Sequence, residues 1–296
     1  MSLYKTLEFI VKHPLNKRKK IRALFEYLKW QIGSRLVSGE VIYHWIDGSK
    51  FIARAGERGV TQNIYCGLHE FHEMGYVLHV VNSQDIFIDI GANAGSYTIL
   101  ACAVRGAAGY CFEPIPSTYQ RLIRNIKLND LSDRVKSYNI GLSDGRDELL
   151  FTSTLDTINH VVFENDHAID VVRVKVFPLD EILVDVAPSI IKIDVEGLET
   201  RVVNGMLHTL ENPSLHSVIM ELNGSGTRYG FKDDLIIKKM SDFGFRMYTY
   251  EPFDRVLKLI SKNKGMFGNV LFLRNEEFVT QRIATAPFIR VGSFEI

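Results

Sequence analysis

The stretch Phe87-Ile88-Asp89-Ile90-Gly91-Ala92-Asn93-Ala94-Gly95-Ser96-Tyr97-Thr98 reads as a short buried strand, a glycine turn and the first turn of a helix. An apolar run that ends in an acid and runs into a glycine loop is the usual way a parallel strand presents a ligand loop in an open α/β sheet. Gly91 lets the chain turn sharply and brings backbone close to a ligand. Glu113 ends the next apolar run, at 110–112, where an acid can grip a pair of ribose hydroxyls.

Outward from this loop the pattern repeats. Apolar runs at 86–90, 110–112, 135–140, 190–193, 218–222, 245–250 and 269–273 alternate with helical spacing, including 67–80, 97–104 and 117–128. Such alternation predicts a parallel sheet covered by helices on both faces. Residues 144–178 interrupt the rhythm and read as an extra strand pair with a loop. Upstream, Asp47-Gly48 between Val41-Ile42-Tyr43 and Phe51-Ile52 predicts a hairpin turn. The expected organisation is an extension of helix and hairpin at 1–66, a cofactor domain at 67–275 and a tail at 276–296.

The middle of the loop discriminates between cofactors. A dinucleotide site needs G-x-G-x-x-G so that a pyrophosphate can approach a bare helix N-terminus. Here Asn93 stands at the second glycine position and Ser96 at the third. Asp89 would repel a pyrophosphate yet suits an ammonium or a sulfonium. A cationic, phosphate-free nucleoside cofactor therefore fits better than a nicotinamide. An oxidoreductase is the second enzyme reading, and a cofactor-binding module without turnover the third.

Composition narrows the field. The chain of 296 residues is 46% hydrophobic and 24% charged, with 35 basic and 35 acidic side chains giving a net charge of zero. No global field draws it to nucleic acid. Cys66, Cys102 and Cys111 lack any C-x-x-C pairing, which argues against a disulfide framework and a cysteine zinc site. The sequence shows no secretory signal or membrane-length apolar run, so the expected location is cytoplasmic. In the first 35 residues Lys12, Lys17, Arg18, Lys19, Lys20, Arg22, Lys29 and Arg35 are interleaved with Leu24, Phe25, Leu28, Trp30 and Ile32. The favoured reading is a helix packed on the main domain; the second is a peripheral foothold on an anionic membrane.

The stretch 87–98 resembles the first signature of the FkbM-type methyltransferases, and Ile191-Lys192-Ile193-Asp194-Val195-Glu196-Gly197 resembles their second, K-I-D-V-E-G. The likeness runs from about residue 67 to 273 and takes in Gly67-Leu68-His69-Glu70 and Gly141-Leu142-Ser143-Asp144. It implies a class I fold, a seven-stranded Rossmann-like sheet of order 3-2-1-4-5-7-6. It implies S-adenosylmethionine as cofactor and O-methylation of a hydroxyl on a saccharide, glycan or related small molecule, as in polysaccharide biosynthesis. By the same resemblance Asp89, Gly91 and Asn93 line the methionine portion, Glu113 the ribose, and Gly141 and Leu142 the adenine. Ala92, Gly95, Tyr97, Thr98 and Asp194 complete the expected cofactor set.

For the transfer itself, Asp194 and Glu196 stand two apart after a strand, so both side chains can share one side. Close carboxylates raise one another's pKa, which suits a base. The competing arrangement pairs Glu196 with Lys192 or Arg201. His160, beside Asn159 in Asp156-Thr157-Ile158-Asn159-His160, is the histidine candidate for base and substrate contact, and Glu221 a substrate-side acid. His69-Glu70-Phe71-His72-Glu73 lacks the spacing of a zincin helix and reads as solvated or substrate-facing, so no metal is expected. Asp194-Val195-Glu196-Gly197 replaces the proline-aromatic run of base methyltransferases, which argues against nucleic-acid substrates.

Overall fold

The computed structural model describes residues 3–37, 39–57, 59–153, 159–162, 170–261 and 268–296. Two helices, α1 (Leu3–Lys12) and α2 (Lys20–Leu36), precede a hairpin of β1 (Glu40–His44) and β2 (Lys50–Arg54). Asp47 and Gly48 at its tip have φ of +48° and +79°, as the Asp-Gly pair predicts. Next come α3 (Thr61–Cys66), α4 (Phe71–Val80), β3 (Ile86–Ile90) and α5 (Ser96–Thr98). The expected helix at 97–104 is not regular, because Ile99–Val104 widens into a π-helix.

The chain continues through β4 (Ala108–Phe112), α6 (Pro116–Leu128) and β5 (Val135–Tyr138). A four-stranded side sheet then forms from β6 (Gly141–Leu142), β7 (Asp147–Thr152), β8 (Val161–Val162) and β9 (Val171–Phe177), ordered β6-β9-β7-β8. Residues 144–178 thus hold more sheet than the expected strand pair. The remainder is α7 (Leu179–Ile182), β10 (Ile190–Ile193), α8 (Glu199–Asn204), α9 (Leu207–Glu211), β11 (Ser217–Leu222), α10 (Asp233–Asp242), β12 (Arg246–Glu251), β13 (Val256–Leu259), β14 (Gly268–Leu273) and α11 (Glu276–Thr285). A last hairpin pairs β15 (Arg290–Val291) with β16 (Phe294–Glu295).

The main sheet has eight strands in the order β5-β4-β3-β10-β11-β14-β12-β13. Its first seven reproduce the expected 3-2-1-4-5-7-6 arrangement, and β14 runs antiparallel to both of its neighbours. The eighth strand corrects the expected count. β13 is an edge strand whose side chains are mostly exposed, so no buried apolar alternation marks it in the sequence.

The period of two in each strand divides the core. Phe87 and Ile190 face α4, α6 and the π-helix, together with Val77, Leu100, Leu122 and Ile126. Ile88, Ile90, Ile191 and Ile193 face the other way, onto Val202, Met206, Ile236 and Met240. Each such side chain contributes roughly 1.5–3 kcal/mol on burial. Val279, Ile283, Ile289, Val291 and Ile296 from residues 276–296 join the first of these layers.

Asn125 ties the hairpin to the loop after β3. Its Oδ1 accepts from Ile52 N at 2.8 Å and its Nδ2 donates to Ala94 O at 2.8 Å. The residue is fully buried, so Asn125→Ala leaves two backbone groups without partners. Thermal or denaturant unfolding of that variant is expected to show a loss of about 1–3 kcal/mol. A variant as stable as the parent would contradict this role.

Candidate active site

At the carboxyl ends of β3, β4, β10 and β11 the protein encloses a cavity of about 430 Å³. The loop after β3 forms its floor. Gly91 N and Ala92 N both donate to Phe112 O at 3.0 Å, and Asn93 N donates to Glu113 Oε2 at 3.0 Å. Gly91, Asn93 and Gly95 all have positive φ, and Asn93 caps Ala94 N through Oδ1 at 2.7 Å. A Cβ on Gly91 would collide with the Asp194 carbonyl oxygen, because this loop crosses the end of β10 backbone to backbone.

Most of the expected site residues come together here. Asp89, Gly91, Ala92, Asn93, Tyr97, Glu113, Gly141, Leu142, Asn159, Asp194, Glu196 and Glu221 line the cavity. Three do not. Gly95 supplies the helix N-cap of α5 behind the loop. Thr98 is buried and donates to Asp89 Oδ2 from its amide at 3.0 Å and its hydroxyl at 2.6 Å. It supports Asp89 from behind the wall. His160 lies outside the cavity wall, its backbone paired with Thr152, while its neighbour Asn159 reaches the wall. Asp156, Thr157 and Ile158 of the same stretch lie outside the described residues.

The acids of the wall differ in state and cause. Burial pushes the Glu113 carboxyl up to about 7, against the hydrogen bonds it accepts from Ile115 N and Asn93 N. Burial likewise lifts Asp89 to about 6 in spite of Thr98. Opposite them, Asp194, Glu196 and Glu221 each place a carboxylate oxygen within 4.8 Å of the others. Burial first, then Asp194 and Glu221, push Glu196 up to about 8; burial and Asp194 bring Glu221 to about 7.

Glu196 sits in a strained turn, with φ +52°. Buried Glu199 holds that turn by accepting from Val195 N and Gly197 N, each at 3.2 Å. Gly197 has φ +109° and passes against the Ser225 carbonyl, where a side chain would crowd. Neither cation expected for Glu196 is its partner: Lys192 bonds Asp194 Oδ2 at 2.9 Å, and Arg201 bonds Asp144 at 2.8 Å.

Lys192, legible in the sequence only as part of a motif, lies among the acids of the cavity. It is 1% exposed and projects from β10 on the face that also carries Ile190. Its ammonium lies 5.1 Å from the Tyr97 ring centroid. Burial opposes its charge, but Asp194 and Glu70 outweigh that and hold it above the usual lysine range. Glu70 in turn accepts from Tyr97 OH at 2.6 Å and from Asn269 Nδ2 at 2.5 Å. Burial works against the Glu70 carboxylate, whereas Lys192 draws it below the ordinary value. His69 and Glu70 line the cavity. The acidic wall around one engaged lysine suits a cation and opposes a pyrophosphate.

The profile of the Methyltransferase FkbM domain matches residues 89–247, from Asp89 through all the acids just described except Glu70. The chain belongs to the FkbM methyltransferase family. Hexuronic acid methyltransferase AglP of Haloferax volcanii is 29% identical over 156 residues, covering 50% of this chain and 59% of that protein. The chain thus spans less than two thirds of that relative. Solved structures with a similar course include TYW2 of P. horikoshii in complex with MeSAdo, 15% identical, with 80% of this chain and 72% of that one covered and a TM-score of 0.41. A putative O-methyltransferase from Klebsiella pneumoniae, 13% identical, aligns over 68% of this chain and 79% of its own, at a TM-score of 0.41.

Proposed function

We propose that this FkbM family member binds S-adenosylmethionine in the cavity and transfers its methyl group to a hydroxyl of a saccharide. The observation that carries the reading is the pairing, within one cavity, of the loop segment Gly91, Ala92 and Asn93 with the carboxylates of Asp194, Glu196 and Glu221. The sugar class draws on the relative named as a hexuronic acid methyltransferase.

The residues present fit that cofactor. Asp89 and Asp194 offer negative charge to an ammonium and a sulfonium, Glu113 offers a carboxylate to ribose hydroxyls, and Ile115, Ile140 and Leu142 offer an apolar bed to a purine. The bound cofactor supplies an activated methyl group. The protein's share is to hold the acceptor in line, where positioning alone is worth up to ~10⁵–10⁸ M in effective molarity, and to keep water out. Glu196 takes the hydroxyl proton, and its raised pKa suits a base working near neutrality. Asn159 and Glu221 hold the sugar. Lys192 orients Asp194 through the contact of its ammonium with Oδ2.

The test is transfer of a labelled methyl group to sugars, nucleotide sugars and lipid-linked glycans, with Glu196→Gln beside the parent. A base is active once deprotonated, so parent turnover rises with pH toward about 8. Glu196→Gln is expected to lose about 10²–10⁴-fold in turnover, with cofactor affinity kept and the pH limb gone. Equal turnover in parent and variant would remove Glu196 from this role. Tight cofactor binding with no transfer to any acceptor would identify a binding module instead.

A further inference from the structure

Charge is divided along this chain in a way its zero total conceals. Residues 3–37 carry nine lysines and arginines against Glu8 and Glu26, a net +7, which leaves −7 on the rest of the molecule. The same segment carries a strip of bare apolar side chains. Ile21, Phe25, Leu28, Ile32 and Leu36 are 87, 63, 54, 59 and 81% exposed. Steps of four, three, four and four residues keep them on one side of α2 at about 100° per residue. Leu3 of α1 adjoins Leu28, Ile32 and Leu36 across a shallow surface groove, and Tyr4 beside it is exposed as well.

This strip is not the face by which α2 is anchored. Ala23, Trp30 and Ser34 are buried on the opposite side, Ala23 and Trp30 packing with Phe51, Val60 and Ile64. The helix is thus apolar on two faces, one used for folding and one left outward. Arg22 and Lys29 flank the outward strip on one edge and Arg35 on the other, all exposed, and Lys17, Arg18, Lys19 and Lys20 lead into it.

We propose that the outward face of α1 and α2 docks on a bilayer surface rich in anionic lipid. Aliphatic and aromatic side chains between two rows of cations are the composition an interfacial helix needs, with the apolar strip in the headgroup boundary and the cations among the phosphates. Charge complementarity selects this occupant over a second copy, which would set +7 against +7 across the same face. A second groove runs along α1 from Lys5 and Lys12 to His69 and Glu70, residues that also line the catalytic cavity. The lipid contact goes beyond the methyl-transfer reading and does not depend on it.

Co-sedimentation tests it with the full chain and two kinds of vesicle, pure phosphatidylcholine and phosphatidylcholine mixed with phosphatidylglycerol. The protein should pellet with the mixed vesicles, stay in solution with the neutral ones and be released by high salt. Phe25→Glu with Ile32→Glu, both exposed, should keep the parent melting temperature and weaken binding about tenfold or more. Arg22→Glu with Lys29→Glu should also weaken it about tenfold or more. Failure to pellet with anionic vesicles would overturn the proposal, as would full binding by the Phe25/Ile32 variant. So would a dimer by light scattering that Phe25→Glu dissolves, since the strip would then be an interface between copies.

Discussion

Gly91→Ala is expected to weaken binding of S-adenosylhomocysteine by on the order of a hundredfold or more. The residue has φ +77°, and the place of a Cβ is already taken by the Asp194 carbonyl oxygen. Backbone on both sides is fixed, by the bonds of Gly91 N and Ala92 N to Phe112 O and of Asp194 N to Ile90 O. The loop can accept a methyl group only by moving away from β10. Such a shift carries Asn93 and the Glu113 contact with it, and strain of this kind costs a few kcal/mol. At 1.4 kcal/mol per tenfold, that range gives the stated loss. Calorimetry with the purified variant checks it, alongside circular dichroism to show that the sheet is retained. Gly39→Ala, also at positive φ but with open space around it, is the control for backbone strain alone. Parent-like affinity in Gly91→Ala would show that the loop is not the cofactor's bed.

Lys192→Met should be the most destabilising single change at the site. It removes the cation that balances Asp194 and Glu70 while leaving both carboxylates in place. Breaking a buried pair by deleting one partner costs about 3–5 kcal/mol. The Asp194 side chain is 34% exposed, so water screens its share and most of the cost falls on Glu70. A drop in melting temperature on the order of 10 °C follows for a protein of this size. Glu70→Gln in the Lys192→Met background should restore part of the loss, because the unbalanced charge is then gone. Additive losses in the double variant would mean that the two residues do not share one electrostatic arrangement.

The parts of this account that were legible in the sequence are those specified locally. Asn93 in place of a glycine and the acid before Gly91 mark the loop, and short continuous apolar runs mark the buried parallel strands. Lys192 was harder, since Ile191-Lys192-Ile193 looks like an ordinary strand and its partners Glu70 and Tyr97 come from distant segments. His160 is a candidate by residue type, by its place in the insertion and by Asn159 beside it, whereas the fold places it just before β8 with its backbone turned to Thr152. Thr98 lies near the loop in sequence, but helical rotation carries it under Asp89. The outward strip of α2 was merged with the anchoring face in one amphipathic pattern, and only burial separates Trp30 from Ile32.

Titration of the ligand-free protein with S-adenosylhomocysteine, and separately with NADH, addresses the central assignment of the cavity most directly. One site per chain is expected for the first ligand, lost in Gly91→Ala, and no heat from the second. Saturable binding of NADH, or silence with S-adenosylhomocysteine from folded protein, would contradict it.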